Sequence, residues 1–408
     1  MIKKLAIAVA VMLTAAACGS TAPAPEDFVR IEGTALIQPD GTPLQIRGTN
    51  LGCWLNPEGY MFNFSKTNSP EAINRMLCQL VGPEFTASFW KRFKDNYITA
   101  DDIRFIRECG ANTIRLPFHY KLFTDEDYMG LTAAQDGFRR IDDVVEWCRA
   151  EGLWLILDMH DCPAGQTGDN IDDSYGWPWL FESPEAQEQF CSIWKSIASR
   201  YRNEPVILGY ELMNEPIATY FDRDYFNPML EPLYKRAVAA IREVDPNHIV
   251  LLGGPQWNST FDNFTDWSFD EKIMYTCHRY GGPASVPAIQ SYVDFMNKTG
   301  KPMYMGEIGH NTIEWQAEFC RAMSSVGIGY TFWPYKKVAE SCFNAFTAPE
   351  GWDAIVAFSE ADRGTYSAIR EARPDQAAAR KSLEDLLEAV KFENCTPQKA
   401  YIESLQMK

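Results

Sequence analysis

Short apolar runs alternate along the chain with longer stretches whose apolar positions recur at helical spacing. The runs at residues 44–48, 113–116, 153–159, 207–212, 249–253, 273–277, 302–305 and 329–332 are four to seven residues long. Runs of this kind, bounded by turn residues, read as strands covered on both faces, which is the habit of parallel sheets. Between them, Thr99-Ala100-Asp101-Asp102 opens like a capping box and leads a helix to Cys109, where Gly110 stops it. Residues 138–151, 184–202, 229–244, 287–299, 313–326 and 374–390 carry the helical period. Eight strands, each followed by a helix or a long loop, predict an α/β fold of the (β/α)8 TIM-barrel type with extended βα loops. Residues 29–37 and 44–48 flank Pro39-Asp40-Gly41-Thr42. That is an N-terminal hairpin signal, because Asp-Gly accepts the positive φ of tight turns, and its second arm doubles as the first barrel strand. No Pro/Gly/Ser-rich linker follows residue 27 and no internal repeat is present, so residues 28–408 read as one domain.

A barrel of this kind displays its chemistry where its strands end. Residues 210–216 read Tyr-Glu-Leu-Met-Asn-Glu-Pro, an apolar strand that ends by presenting Asn214 beside Glu215. Taken alone, Asn-Glu-Pro is an ordinary loop opening. A second carboxylate in the same setting changes its meaning: residues 301–309 form another short strand, ending in Glu307. Two glutamates at two strand mouths are what retaining glycoside hydrolysis requires, one acid to protonate the leaving oxygen and one carboxylate to attack the anomeric carbon. The other strand ends are polar as well, apart from the fifth at Gly253-Gly254-Pro255-Gln256-Trp257. The first delivers Asn50 and Trp54, the second Arg115, the third Asp158-Met159-His160, the sixth His278-Arg279-Tyr280 and the eighth Trp333. A charge inside an apolar strand is costly unless paired, so Arg115 needs a carboxylate partner. Glu211 lies four residues deeper than Glu215 on the same strand face, and reads as a buried partner for a cation.

The amino terminus begins Lys3-Lys4, an apolar run over residues 5–17, then Cys18. The run is shorter than the ~20 residues a membrane span needs and reads as an export signal. The ending Ala15-Ala16-Ala17-Cys18 resembles a bacterial lipobox, which implies residues 1–18 as leader, lipidation of Cys18, and residues 19–27 as a tether. The expectation is an exported lipoprotein of the cell envelope, monomeric and touching the membrane only through its lipid; a plain secreted protein is the alternative. The net charge of −17 disfavours nucleic acid and polyanionic glycans by repulsion, and leaves neutral carbohydrate compatible. Five histidines without a Cys-x-x-Cys pair argue against a zinc module. His119, His160 and His278 at strand ends are the sharp alternative, a zinc site. The glutamate pair needs no metal, and no cofactor is expected.

The strand-end set resembles glycoside hydrolase family 5, the cellulase-type family. Its recurrent active-site positions match Arg115, His160, Asn214, Glu215, His278, Tyr280, Glu307 and Trp333. The resemblance implies Glu215 as acid/base and Glu307 as nucleophile, with Trp333 as a platform under the sugar. Residues 50–54 (Asn-Leu-Gly-Cys-Trp), 57–60 (Pro-Glu-Gly-Tyr), 158–163 (Asp-Met-His-Asp-Cys-Pro) and 166–168 (Gln-Thr-Gly) resemble the exo-β-1,3-glucanase branch. Gly306-Glu307-Ile308-Gly309 is closer to the endoglucanase form. The substrate class is therefore a neutral β-linked glucan, with exo-β-1,3-glucanase or β-glucosidase action ahead of endo-β-1,4-glucanase or β-mannanase. A non-catalytic surface glycan-binding lipoprotein is the alternative from another class. In this scheme the charge of Glu307 and partial burial raise the pKa of Glu215, and Arg115 and the Tyr280 hydroxyl keep Glu307 ionised. The loop aromatics Trp54, Tyr60, Phe62, Phe64, Trp177, Trp179, Tyr220, Phe221, Trp257, Trp267, Tyr335 and Trp352 are candidate sugar platforms.

Overall fold

Strands that are apolar on both faces need cover inside and out, and closing on themselves provides the inner half of it. In the structure, a computed structural model that describes residues 22–131, 133–339 and 341–408, they do so. A small antiparallel sheet of β1 (Arg30–Glu32), β2 (Ala35–Ile37) and β3 (Pro43–Leu44) leads in. Then β4 (Arg47–Asn50), β5 (Thr113–His119), β6 (Trp154–Asp161), β7 (Ile207–Glu211), β8 (Ile249–Gly253), β9 (Ile273–His278), β10 (Met303–Gly309) and β11 (Gly329–Trp333) form a closed parallel barrel. The (β/α)8 expectation holds, and every anticipated strand lies within a residue or a few of its place. The hairpin arm at residues 29–37 is a correction: Gly33, at a φ of +61°, turns the chain and splits it into β1 and β2. Likewise, residues 45 and 46 separate β3 from the first barrel strand.

The helices include two that were not anticipated, α1 (Pro70–Val81) and α2 (Pro83–Tyr97), between the first and second barrel strands. Ser69 caps the first by accepting from the Ala72 N–H, with Pro70 pre-set for the first turn. The expected capping box opens α3 (Ala100–Glu108), where the Asp102 carboxylate accepts from the Thr99 N–H at 2.9 Å. The helices α4 (Ala134–Glu151) and α5 (Pro184–Tyr201) follow as read. In α6 (Arg223–Arg242) the start lies six residues before the expected one, because Asp222 caps it and the helix accommodates Pro228 and Pro232. Residues 336–361, anticipated as loop, contain β12 (Lys336–Val338), β13 (Asn344–Phe346) and the helix Trp352–Glu360. The leader and Cys18 lie outside the described residues; of the tether, Pro25–Asp27 forms a short 3-10 turn. No described helix is long and apolar enough to cross a membrane. All ten described cysteines are unpaired, eight of them buried.

Candidate active site

Register brings the strand-end residues together in pairs. Asn50 of β4 stands beside Arg115 of β5, Asp158 of β6 beside Glu211 of β7, and His278 of β9 beside Glu307 of β10. On β10 the pairing slips between Met305 and Glu307, a bulge at Gly306 that re-aims the carboxylate. Gly306 is required there: a Cβ would lie 2.5 Å from Thr276 Oγ1 and 2.8 Å from His278 Nε2.

Arg115 is fully buried and has the partners its burial demands. Its two terminal nitrogens donate to Glu307 at 2.7 Å, Asn50 at 3.0 Å, Glu211 at 2.7 Å and Asn214 at 2.9 Å, with Asp158 at 3.0 Å. Glu211 is the deep cation partner expected, and also accepts from the Tyr304 hydroxyl. Asp158 accepts from His160 Nδ1 at 2.8 Å, while Glu58 approaches the other ring nitrogen at 3.4 Å. Burial acts against charge on His160, but the two carboxylates outweigh it and hold its pKa up at about 10.

Above this floor lies a pocket of about 300 Å³, lined by Glu58, Tyr60, His160, Ile171, Glu215, Tyr280, Glu307, His310 and Trp333. One carboxylate oxygen each of Glu215 and Glu307 lies within 4.8 Å of the other, and both lie within that distance of His278. Their environments differ. Burial is the largest influence raising the pKa of Glu215, and the charge of Glu307 adds to it; the His278 Nδ1 contact at 2.8 Å opposes both. Burial acts upward on Glu307 too, yet His278, Arg115, His160 and the donated Tyr280 hydroxyl together hold it down at about 2. At neutral pH the pair therefore divides into one carboxyl that favours its proton and one that stays ionised, with the side chain of Glu215 the more exposed, 13% against 4%.

The expected site residues separate into three layers. Glu215, Glu307, His160, Tyr280 and Trp333 line the pocket. Asn50, Arg115, Asn214 and His278 stand behind them, buried and holding them in place. Trp54 is a correction: its indole N–H donates to the Lys94 carbonyl at 2.8 Å and the ring is 1% exposed, so it is core beneath α2 and no sugar platform. Phe62, Phe64 and Trp352 likewise stack in an aromatic cluster with Trp90 and Phe93. Trp333 stands in the pocket wall; its ring lies parallel to His160, 5.1 Å between centroids, and its N–H donates to the Tyr60 hydroxyl. The histidines of the zinc alternative stand in three separate clusters, His119 with Asp161 and Asp173, His160 with Asp158, His278 with Glu215. His119 Nδ1 accepts from the Lys121 N–H, so Nε2 of the neutral ring keeps its hydrogen and offers no lone pair to a metal. Sequence reasoning missed Glu58 and His310 as pocket residues. Position alone could have flagged His310, one residue past a barrel strand.

Three relatives bear on the chain. A β-xylosidase of Phanerodontia chrysosporium is 32% identical over 266 residues, 63% of this chain and 53% of that protein, so the chain spans about half its length. Endoglucanase C of Acetivibrio thermocellus is 27% identical over 329 residues, 65% of this chain and 92% of that protein. A probable glucan 1,3-beta-glucosidase A of Emericella nidulans is 25% identical over 281 residues, 64% of this chain and 66% of that protein. The family model for cellulase (glycosyl hydrolase family 5) matches residues 40–339, which takes in all eight barrel strands and both glutamates. The chain belongs to glycosyl hydrolase family 5.

Proposed function

We propose that the protein hydrolyses β-linked glucosides of neutral glucan with retention at the anomeric carbon, releasing terminal glucose, and that Glu307 is its nucleophile and Glu215 its acid/base. The observation that carries this reading is the carboxylate pair of opposed protonation within 4.8 Å, opening on one small pocket. That separation suits direct attack and leaves no room for a water between nucleophile and sugar, as the retaining geometry of about 5–5.5 Å implies. Glu307 attacks C1 as Glu215 gives its proton to the departing glycosidic oxygen, forming a glycosyl ester. Glu215, now a carboxylate, takes a proton from water; the water oxygen bonds to C1 and Glu307 leaves as carboxylate. Arg115 and Tyr280 stabilise the nucleophile's charge in both steps.

Terminal action is supported by the pocket's size, at the lower end of the ~300–1,000 Å³ range of ligand sites, and by Glu58 and Tyr60 of the first loop standing in its wall. The relative named as a glucan 1,3-beta-glucosidase supports the linkage; the relative named endoglucanase supports the endo alternative. Product analysis on laminari-, cello- and manno-oligosaccharides decides. Glucose alone from laminari-oligosaccharides, appearing first as the β-anomer in proton NMR, is the expected result. Mixed oligosaccharides from a β-1,4-glucan or mannan would overturn the substrate while leaving the mechanism; binding without cleavage would overturn catalysis. We further propose that the mature chain is a monomer carried on the envelope through lipid at Cys18, a reading supported by Ala15-Ala16-Ala17-Cys18. Incorporation of labelled palmitate that survives Cys18→Ala would refute the anchor.

A further inference from the structure

Where β8 ends, Gln256, Trp257 and Asn258 follow one another in the left-handed region, at φ of +54°, +57° and +58°. L-residues hold this region rarely, and asparagine tolerates it best. Backbone bonds lock the turn: the Gln256 N–H donates to the Ile217 carbonyl at 2.8 Å and the Asn258 N–H to Gly254 at 3.0 Å. The result is the placement of one fully buried amide. Asn258 Nδ2 lies 3.2 Å from His278 Nε2, while Asn258 Oδ1 has no partner among the described residues. Two missing side chains make the space. A Cβ on Gly253 would lie 2.1 Å from Asn258 Oδ1, and the one on Gly306 would press on His278 Nε2.

We infer that Asn258 is a positioning residue that sets the tautomer of His278, and through it decides which oxygen of Glu215 carries the acid proton. The inference rests on the reading of Glu215 as acid/base. An amide N–H can only donate, so it requires a lone pair on His278 Nε2, and the neutral ring then keeps its hydrogen on Nδ1. Nδ1 faces Glu215 Oε1 at 2.8 Å and Glu307 Oε2 at 3.5 Å. With Oε1 receiving that N–H, the carboxyl proton of Glu215 is left to Oε2, the oxygen that His278 does not engage. If the ring hydrogen moved to Nε2, Nδ1 would become an acceptor. It would then draw the acid's O–H onto Oε1, toward the buried ring and away from a leaving group. The sequence contains this device only as an asparagine five residues past a strand, and the chemistry sits two contacts away from it.

The test reads the tautomer directly. In protein labelled with nitrogen-15 at its five histidines, long-range proton–nitrogen spectra distinguish the two ring forms, and His278→Gln identifies the His278 signals. The expected result is His278 with hydrogen on Nδ1. Asn258→Asp, nearly isosteric but accepting where the amide donates, should bring a hydrogen to Nε2 while Nδ1, facing Glu215 and Glu307, keeps its own; Asn258→Leu, leaving Nε2 without a partner, should give a mixture of the two ring forms. Hydrogen on Nε2 in the unaltered protein, or spectra unmoved in variants that keep their melting transition, would overturn the proposal. A kinetic arm follows the acid. Aryl β-glucosides with a 2,4-dinitrophenolate leaving group need no proton and should lose no more than about twofold in Asn258→Leu; phenyl glucosides should lose about threefold to tenfold. Equal losses on both would sever Asn258 from proton delivery. Unaltered protein silent on both glucosides would instead refute the hydrolase reading, and the spectra would still judge the tautomer.

Discussion

Replacing Arg115 by methionine tests whether the floor of the site is held electrostatically. The guanidinium is shared by Asp158, Glu211 and Glu307, all within 3.0 Å, and none of the four side chains is more than 4% exposed. Removing one partner of a buried ion pair costs about 3–5 kcal/mol because it strands the other. Three carboxylates losing one shared cation place this variant at the upper end, about 5 kcal/mol near pH 7. An unfolding entropy of about 2.1 cal/mol/K per residue gives a chain of this length ~0.9 kcal/mol per degree, so melting should fall by roughly 6 °C.

The pH dependence separates this cause from lost packing. Glu307 is depressed to about 2 in the folded protein, below the ~4.3 of an unfolded glutamate. A depressed carboxylate stabilises the fold above its unfolded pKa, and that contribution is lost as pH falls through the folded value. Arg115 is one of the charges holding Glu307 down, and it also pulls down Glu211, whose pKa burial otherwise raises. In the variant both folded pKa values move up. Each upward move destabilises the fold at neutral pH and is relieved once acid protonates the group. Calorimetric melts at pH 7, 5.5 and 4 should therefore show the gap between the two proteins narrowing with acidity. A gap that stays constant would mean that Arg115 acts through its volume, and the electrostatic account of the floor would fail.

Glu307→Gln should lower kcat by roughly 10³-fold or more on any cleaved glycoside, and should also lower the pKa of Glu215, because one charge that raises it is gone. A carbon-13 titration of the Glu215 carboxyl reads this shift without turnover, and an unmoved midpoint would uncouple the pair. In the unaltered protein, kcat/KM should fall as pH rises through the elevated pKa of Glu215, the acid form being the one that acts, and should hold in acid until Glu307 titrates at about 2 or the fold fails. Trp54→Phe should cost about 1 kcal/mol, because the Lys94 carbonyl loses its closer donor and keeps only Arg140 at 3.4 Å, while kcat/KM per folded molecule stays within about twofold; a selective tenfold rise in KM would return Trp54 to the sugar site.

What the sequence showed and what it withheld divide along one physical line. Strand identity is local: a run such as residues 249–253, apolar throughout, has to be covered on both faces whatever surrounds it, and it was read to the residue. Strand length was read less well where a residue looked like a stop. The apolar run at residues 113–116 stops before Pro117, yet β5 continues through Pro117 to His119; the reading of residues 301–309 as one strand agrees with β10, which runs through the Gly306 bulge to Gly309. Strand ends then nominate the residues near the mouth, which is why both glutamates, Arg115 and Trp333 are legible in the sequence.

Depth is a different quantity, because it depends on closure and on the loops laid over the mouth. Trp54 and Tyr60 look alike in sequence, two aromatics in one loop, but helix α2 covers the first while the second meets Trp333 at the pocket wall. That Arg115 needed a carboxylate was legible from its neighbours; that it would have three, from three further strands, follows only from register around a closed barrel. The backbone conformations least accessible to sequence reasoning concentrate in the same place. Left-handed residues follow the strand ends at Cys53, Ala164, Glu215, Ile217, Gln256 to Asn258 and His310. No propensity selects such a conformation for glutamate or tryptophan, so the surrounding structure must impose it. The site is thus built from two kinds of information: residue types that a strand-end rule can find, and strained turns that aim them, which only the assembled barrel supplies.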